Sequence, residues 1–280
     1  MHALLERSKT RIVPLLLSLI LVTYAAARLA EILTTSAPRL GVVALDVLSA
    51  LAFALVDGYR HFRRRSIAVF LGLCLVVGNV AENLSIRTGF PFGHYHFLNL
   101  MGRKFLHVPI LLGCAYVGMA YVSWILGCII VGTSPSASTR GRIFSVPLIA
   151  TFIMVAWDLA QDPVWSTILH GWIWRDGGSW FGVPISNYLG WYLTVFTIYI
   201  LFALFQRLNV AFDTPPNPVR DHAAILFYVL CALGNIGQIF AHSDTPVVQD
   251  PSGQAWRVAD ILGASALVSI FVMEIGRAHV

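Results

Sequence analysis

Charge is scarce in this chain: 19 Lys and Arg and 14 Asp and Glu among 280 residues, or 12%. Soluble domains keep about a quarter of their residues charged, so this deficit excludes an ordinary water-soluble fold. Paired cysteine is missing too. Cys74, Cys114, Cys128 and Cys231 each lie in an apolar segment without C-x-x-C spacing, which argues for small core residues and against a redox or metal role. There is no glycine-rich phosphate loop, so no nucleotide cofactor is implied. Nor is there a low-complexity tract or a soluble appendage. The net charge of +5 would point to nucleic acid in a soluble protein; here the basic residues sit between apolar runs, where membrane topology accounts for them.

What the chain has instead is apolar length. Hydrophobic residues make up 57% and the mean hydropathy is +0.73. Runs able to span a bilayer, which takes about 17–25 residues, occur near 12–33, 42–59, 66–86, 106–131, 143–162, 187–206, 222–241 and 259–276. The expected fold is all-α: a polytopic integral membrane bundle of about eight transmembrane helices, forming a single membrane domain over 1–280. Ala25-Ala26-Ala27 has the look of a signal-peptidase site, but the apolar run continues to Leu33, so the first helix is read as uncleaved. With the N-terminus inside, twelve Lys and Arg fall in inner segments, among them Arg7, Arg63, Arg140 and Arg277, and six in outer ones, among them Arg39, Arg87 and Arg175. The positive-inside rule therefore predicts both termini in the cytoplasm.

That orientation puts Glu31, Asp46, Glu82, Asp158, Asp162 and Asp260 in the outer third of the membrane. Intramembrane acids are expensive and read as functional by default; acids from five helices at one depth would serve a single polar chamber opening outward. The plainer reading is that acids near helix ends reach the interface, and that Arg28 and Glu31, three apart, form a structural pair. Chemistry is densest between Trp157 and Trp191, which holds six of the eight tryptophans. Asp158 and Asp162, four apart, share a helix face with Gln161 beside them. The inner loops at 132–142 and 213–218 are short and simple. By contrast, the outer loops 87–104 and 163–186 are rich in Gly, Pro and aromatic residues. Lipid cannot satisfy irregular backbone, so these two are expected to cap the chamber.

Several separated motifs in residues 78–195 resemble the carotenoid biosynthesis membrane-protein family that includes carotenoid 1,2-hydratases of the bisanhydrobacterioruberin and γ-carotene pathways. They are Glu82, Thr88-Gly89-Phe90-Pro91-Phe92-Gly93-His94-Tyr95-His96, Gly102, Val108-Pro109, Asp158, Asp162-Pro163, Trp172, Trp174, Gly182-Val183-Pro184, Ser186-Asn187 and Gly190-Trp191. The chain departs from the pattern after His96, where Phe97-Leu98-Asn99 replaces an aromatic followed by a Thr-Asp-like pair. The resemblance implies a cofactor-independent hydro-lyase that adds water across the terminal double bond of an acyclic carotenoid or similar polyprenyl chain, giving a tertiary alcohol.

Such a hydration needs a protonated acid, surroundings that tolerate a tertiary cation, a held water and a base. Two nearby carboxyls in a dry site resist double ionisation, so Asp158 is the expected proton donor, with Asp162 or Glu82 holding the water. Asn187, Asn79 and Asn83 are candidates to orient these groups. Tyr95, Trp157, Trp172, Trp174 and Trp191 are candidates to face the cation, although tryptophan at a membrane boundary is often an anchor. His94 and His96 are expected to shape the cap; with His107 and His170 they lack the clustering that a di-iron hydroxylase needs, so no metal is expected. The expected partners are a lipid-soluble polyene, water and membrane lipid, with no nucleic acid, in a bacterial inner membrane with the site toward its outer face. Three alternatives remain open: a membrane terpene or carotenoid cyclase or isomerase using the same protonation, magnesium-diphosphate chemistry at Asp158-x-x-x-Asp162, and a proton-coupled transporter.

Overall fold

The computed structural model describes residues 2–33, 40–133, 142–209, 218–240 and 246–273. Most of the two inner loops, together with Arg39, Arg140 and Arg277, lies outside them, as do the side chains of Arg7, Lys9 and Arg11. Among the described residues there are eight α-helices: α1 (His2–Leu33), α2 (Leu40–His61), α3 (Arg64–Thr88), α4 (Ile110–Val131), α5 (Arg142–Pro163), α6 (Ile185–Leu208), α7 (Pro218–Gly237) and α8 (Val258–Phe271). Seven of them are long and apolar enough to cross a membrane, and α8 is a shorter apolar helix of 14 residues. The all-α bundle of membrane helices read from the sequence is what is observed.

The bundle is built around α4. Its residues are hydrophobic on every side, with no charge between Ile110 and Val131, so no face of it is suited to water and it is buried from Ala115 to Cys128. Helices α2, α3, α5 and α7 all pack against it. In lipid, close packing rather than water expulsion holds helices together, and small residues permit it. Gly118 is such a point: a Cβ there would stand 2.6 Å from the Ala50 Cβ and 2.8 Å from its backbone carbonyl carbon on α2.

Two of the helix ends that differ from expectation shape the roof of the bundle. The fourth span begins at Ile110 rather than near 106, because β2 (Lys104–Phe105) turns back on β3 (Val108–Pro109) as a tight hairpin. Leu106 at its tip has φ 55°. Conversely, α5 does not stop at Asp162. It runs through Pro163 into a π-helical turn, Val164–Ile168. Proline has no N–H, so the carbonyl four residues back, that of Leu159, loses its helical partner; the Trp180 indole donates to it at 3.2 Å instead. A helix interrupted in lipid persists only when its freed groups are satisfied in this way.

The two long aromatic loops meet as a ribbon. β1 (Tyr95–Phe97) pairs antiparallel with β4 (Trp172–Trp174), placing Tyr95 opposite Trp174 and Phe97 opposite Trp172. A second hairpin, β5 (Val247–Gln249) with β6 (Ala255–Arg257), lies against the π-helical turn. All three loops sit at the same end of the bundle, above the C-terminal ends of α3 and α5.

Candidate active site

Beneath the ribbon is a chamber. It has about 870 Å³ of space outside atoms when its mouth is included, of which about 80 Å³ admits the centre of a water molecule. A cavity needs only about 10–15 Å³ of such space per water, so several fit. Glu82, Asp158 and Asp162 all line it.

The two aspartates are joined by one amide. Asn187, in the first turn of α6, donates from Nδ2 to Asp158 Oδ2 at 2.9 Å and to Asp162 Oδ2 at 2.6 Å. Asp162 Oδ1 also accepts from the indoles of Trp172 at 2.8 Å and Trp174 at 3.2 Å. Among the described residues Asp162 therefore receives three side-chain N–H bonds and Asp158 one. Glu82 on α3 is held by two phenols, Tyr116 donating to Oε1 at 2.7 Å and Tyr95 donating to Oε2. Tyr95 lies outside the spans; its burial pushes its phenol well above the usual tyrosine range, and the neighbouring Glu82 adds to this. It therefore remains a donor throughout the neutral and mildly alkaline range.

Aromatic rings connect the carboxyls. Tyr116 stacks on Trp191 with centroids 4.6 Å apart and planes 10° from parallel, and Trp157 meets Trp191 edge-on at 6.2 Å. Tyr95 lies 4.7 Å from Trp174. Trp191 reaches this place because Gly190 lets α6 touch the 90–92 loop: a Cβ there would be 2.8 Å from the Pro91 carbonyl carbon. Trp157, Trp172, Trp174 and Trp191 all border the chamber, so these four tryptophans face an interior and not the lipid interface.

A second polar group lines the chamber from α1 and α2. Arg28, 4% exposed, pairs with Glu31 at 2.6 Å, the pair expected from their spacing. Arg28 also donates to the Asn235 amide oxygen at 2.7 Å, which accepts from Gln161 at 2.7 Å as well. Gln161 in turn accepts from Trp165 at 3.1 Å. Asp46 completes this wall, and its buried Oδ1 has no hydrogen-bond partner among the described residues.

Four candidates, His94, His96, Asn79 and Asn83, are not brought to the chamber. His96 sits on the outward face of β1, where strand alternation turns it away from Tyr95 and Phe97. His94 is half-exposed and lies 3.6 Å from Asp176. Asn83 faces its own helix and the β2–β3 hairpin, donating to the Asn79 carbonyl at 2.8 Å and accepting from the His107 backbone N–H at 3.2 Å. Asp260 also stays outside, exposed and paired with Arg257 at 2.8 Å. Among the described residues no three His, Cys, Asp or Glu side chains converge as metal ligands.

Residues 41–247 of this chain match the carotenoid biosynthesis protein family. The chain belongs to that family. A curated relative, bisanhydrobacterioruberin hydratase of Haloarcula japonica, is 30% identical over 122 residues, a stretch covering 43% of this chain and 39% of the relative's length. No solved structure matches. The family match runs across every element that lines the chamber except α1. Tyr116, which holds Glu82, was not among the candidates from sequence, and Gln161, which holds the Arg28 wall, was placed beside the aspartates but given no role. Tyr116 is disguised by an apolar run; its one signal is a phenol in the middle of a span, where an O–H needs a partner.

Proposed function

We propose that this protein is a carotenoid-modifying enzyme, specifically a hydratase acting on the terminal double bond of an acyclic carotenoid or similar polyprenyl chain. The observation that carries the reading is the pair Asp158 and Asp162, held together by Asn187 within an aromatic chamber. A carboxylate only accepts hydrogen bonds, whereas a carboxylic acid also donates. Asp162, surrounded by three N–H donors, is the member suited to stay a carboxylate. Asp158, with one, is suited to carry the proton.

Asp158 would deliver that proton to the less substituted carbon of the terminal double bond. The electron pair of the double bond forms the new C–H bond and leaves a tertiary cation on the neighbouring carbon. Trp191 and Trp157 offer ring faces and edges to it, and an aromatic face attracts a cation. Water held by Asp162 or Glu82 then attacks the cation, and the second carboxylate accepts the proton released, giving a tertiary alcohol. The chemistry needs no cofactor. A cyclase or isomerase would share the first step and differ only in how the cation is quenched.

Loop charge supports placing the roofed end at the outer face of the membrane, with both termini inside. Expression in a host that makes an acyclic carotenoid tests the whole reading. In ¹⁸O-labelled water the product should be a more polar alcohol carrying ¹⁸O. Label arriving from ¹⁸O₂ instead would replace hydration by oxygenation, and an unchanged pigment profile would overturn the reading.

A further inference from the structure

We infer that the groove between α3 and α4 is the berth for the polyene's long tail, and that Glu82 with Tyr116 forms the partition through which the reacting end passes into the chamber. This rests on the polyene reading proposed above. The chamber admits the centre of a water molecule over only about 80 Å³, well under the roughly 300–1,000 Å³ of a pocket that takes a drug-sized ligand. A forty-carbon polyene is about as long as the bilayer core is thick, roughly 30 Å, so most of it must lie outside.

The groove offers that space on the far side of a shared wall. It admits the centre of a water molecule over about 440 Å³, more than the chamber itself. Its rims, Leu75, Val76 and Val80 on α3 and Ile110 on α4, are 46–63% exposed, as residues open to lipid would be. Gly78 and Gly113 also line it. Glu82 borders both cavities. Tyr116, which donates to Glu82 at 2.7 Å, borders the groove and stacks on chamber-lining Trp191. One hydrogen-bonded pair thus stands between the two spaces, and a hydrocarbon reaching it from the groove meets the acids without crossing water. The β2–β3 hairpin closes the groove's upper end through Phe105 and Val108.

Gly113→Leu tests the berth. Its Cβ would stand 3.2 Å from the Leu75 side chain, so leucine would fill the groove, while leucine is the better helix former. With purified protein in lipid, kcat/KM is compared for a full-length acyclic carotenoid and for a ten-carbon analogue with the same end group. The expected result is at least a tenfold fall in the long-to-short ratio; an unchanged ratio would overturn the inference. Should Gly113→Leu lose both substrates, p-benzoylphenylalanine at Val80, in otherwise unaltered protein made in a carotenoid-producing host, decides. An adduct of polyene mass at Val80 and not at lipid-facing Leu189, which is 67% exposed, supports the berth, and equal labelling at both rejects it. If unaltered protein converts neither substrate, the reaction reading fails, while crosslinking still reports on the groove.

Discussion

At the scale of single residues, Asn187 carries more than its size suggests. Its amide has two hydrogens and gives one to each aspartate, so Asn187→Ala removes a bond from both carboxyls at once. Asp158→Asn keeps the shape of the acid and removes its proton. It should lower turnover by about 100-fold or more, the low end of what general acids contribute, with the protein still folded and inserted; wild-type turnover would eliminate Asp158 as donor. Leucine in place of Trp191 should also slow turnover, by taking the ring from between Tyr116 and Trp157. His96→Ala should leave turnover within about twofold of wild type, since His96 points away from the chamber; a larger loss would show that the outer face of the ribbon matters. The acids were legible in the sequence because a carboxyl in an apolar run is costly and four-residue spacing puts two on one face. His94 and His96 were expected to shape the cap, but which face of a strand a residue takes depends on a pairing that nothing local specifies.

At the scale of elements, the helices were legible from apolar length alone, while the roof was not. Irregular outer loops were expected, yet the ribbon of β1 and β4 joins segments about 75 residues apart in the chain, and three-residue strands leave no alternating pattern to read. The π-helical turn was equally hidden, since Pro163 reads as a stop unless a distant Trp180 satisfies the Leu159 carbonyl. Trp180→Phe keeps the ring and removes the donor. Leaving a fully buried carbonyl unpaired costs about 1–3 kcal/mol; this one is partly buried, so the cost should fall at the low end. The variant should melt at a slightly lower temperature in detergent with only a modest loss of activity; no change in melting would mean that the carbonyl finds another partner.

The β5–β6 hairpin offers a pH handle outside the spans. Burial alone would raise the Asp250 carboxyl, but bonds from Ser252, Trp256 and the Gln254 backbone outweigh it and hold it below the usual aspartate value of 3.8. A carboxyl depressed in the folded state stabilises it above the unfolded value and ceases to as pH falls through the folded one. Docking of the hairpin should therefore be intact at neutral pH and loosen only in strong acid, below 3.8. Hydrogen exchange at residues 247–257 measures this, and Asp250→Asn should show faster exchange already at pH 7.

For the whole molecule, α4 is the post on which the other helices hang, and Gly118 its tightest point. Gly118→Val would drive a side chain into the Ala50 backbone and push away α2, which supplies Asp46, Val47 and Ala50 to the chamber wall. Overpacking typically costs about 1–3 kcal/mol, so folded yield and melting temperature should both fall, and activity should fall further than Asp46→Asn alone causes. An α4 that tolerated valine with unchanged activity would mean that α2 is not set by this contact.

The ribbon also dictates an order of events during synthesis. Residues 95–97 leave the ribosome long before residues 172–174, and the two spans between them must be threaded into the bilayer before the strands can join. Until then Glu82 and its two tyrosines have no Trp174 beside them and no Asp162 across the space. A nascent chain halted after its fourth span would be membrane-bound yet unroofed, and the acids could meet only once the fifth had arrived.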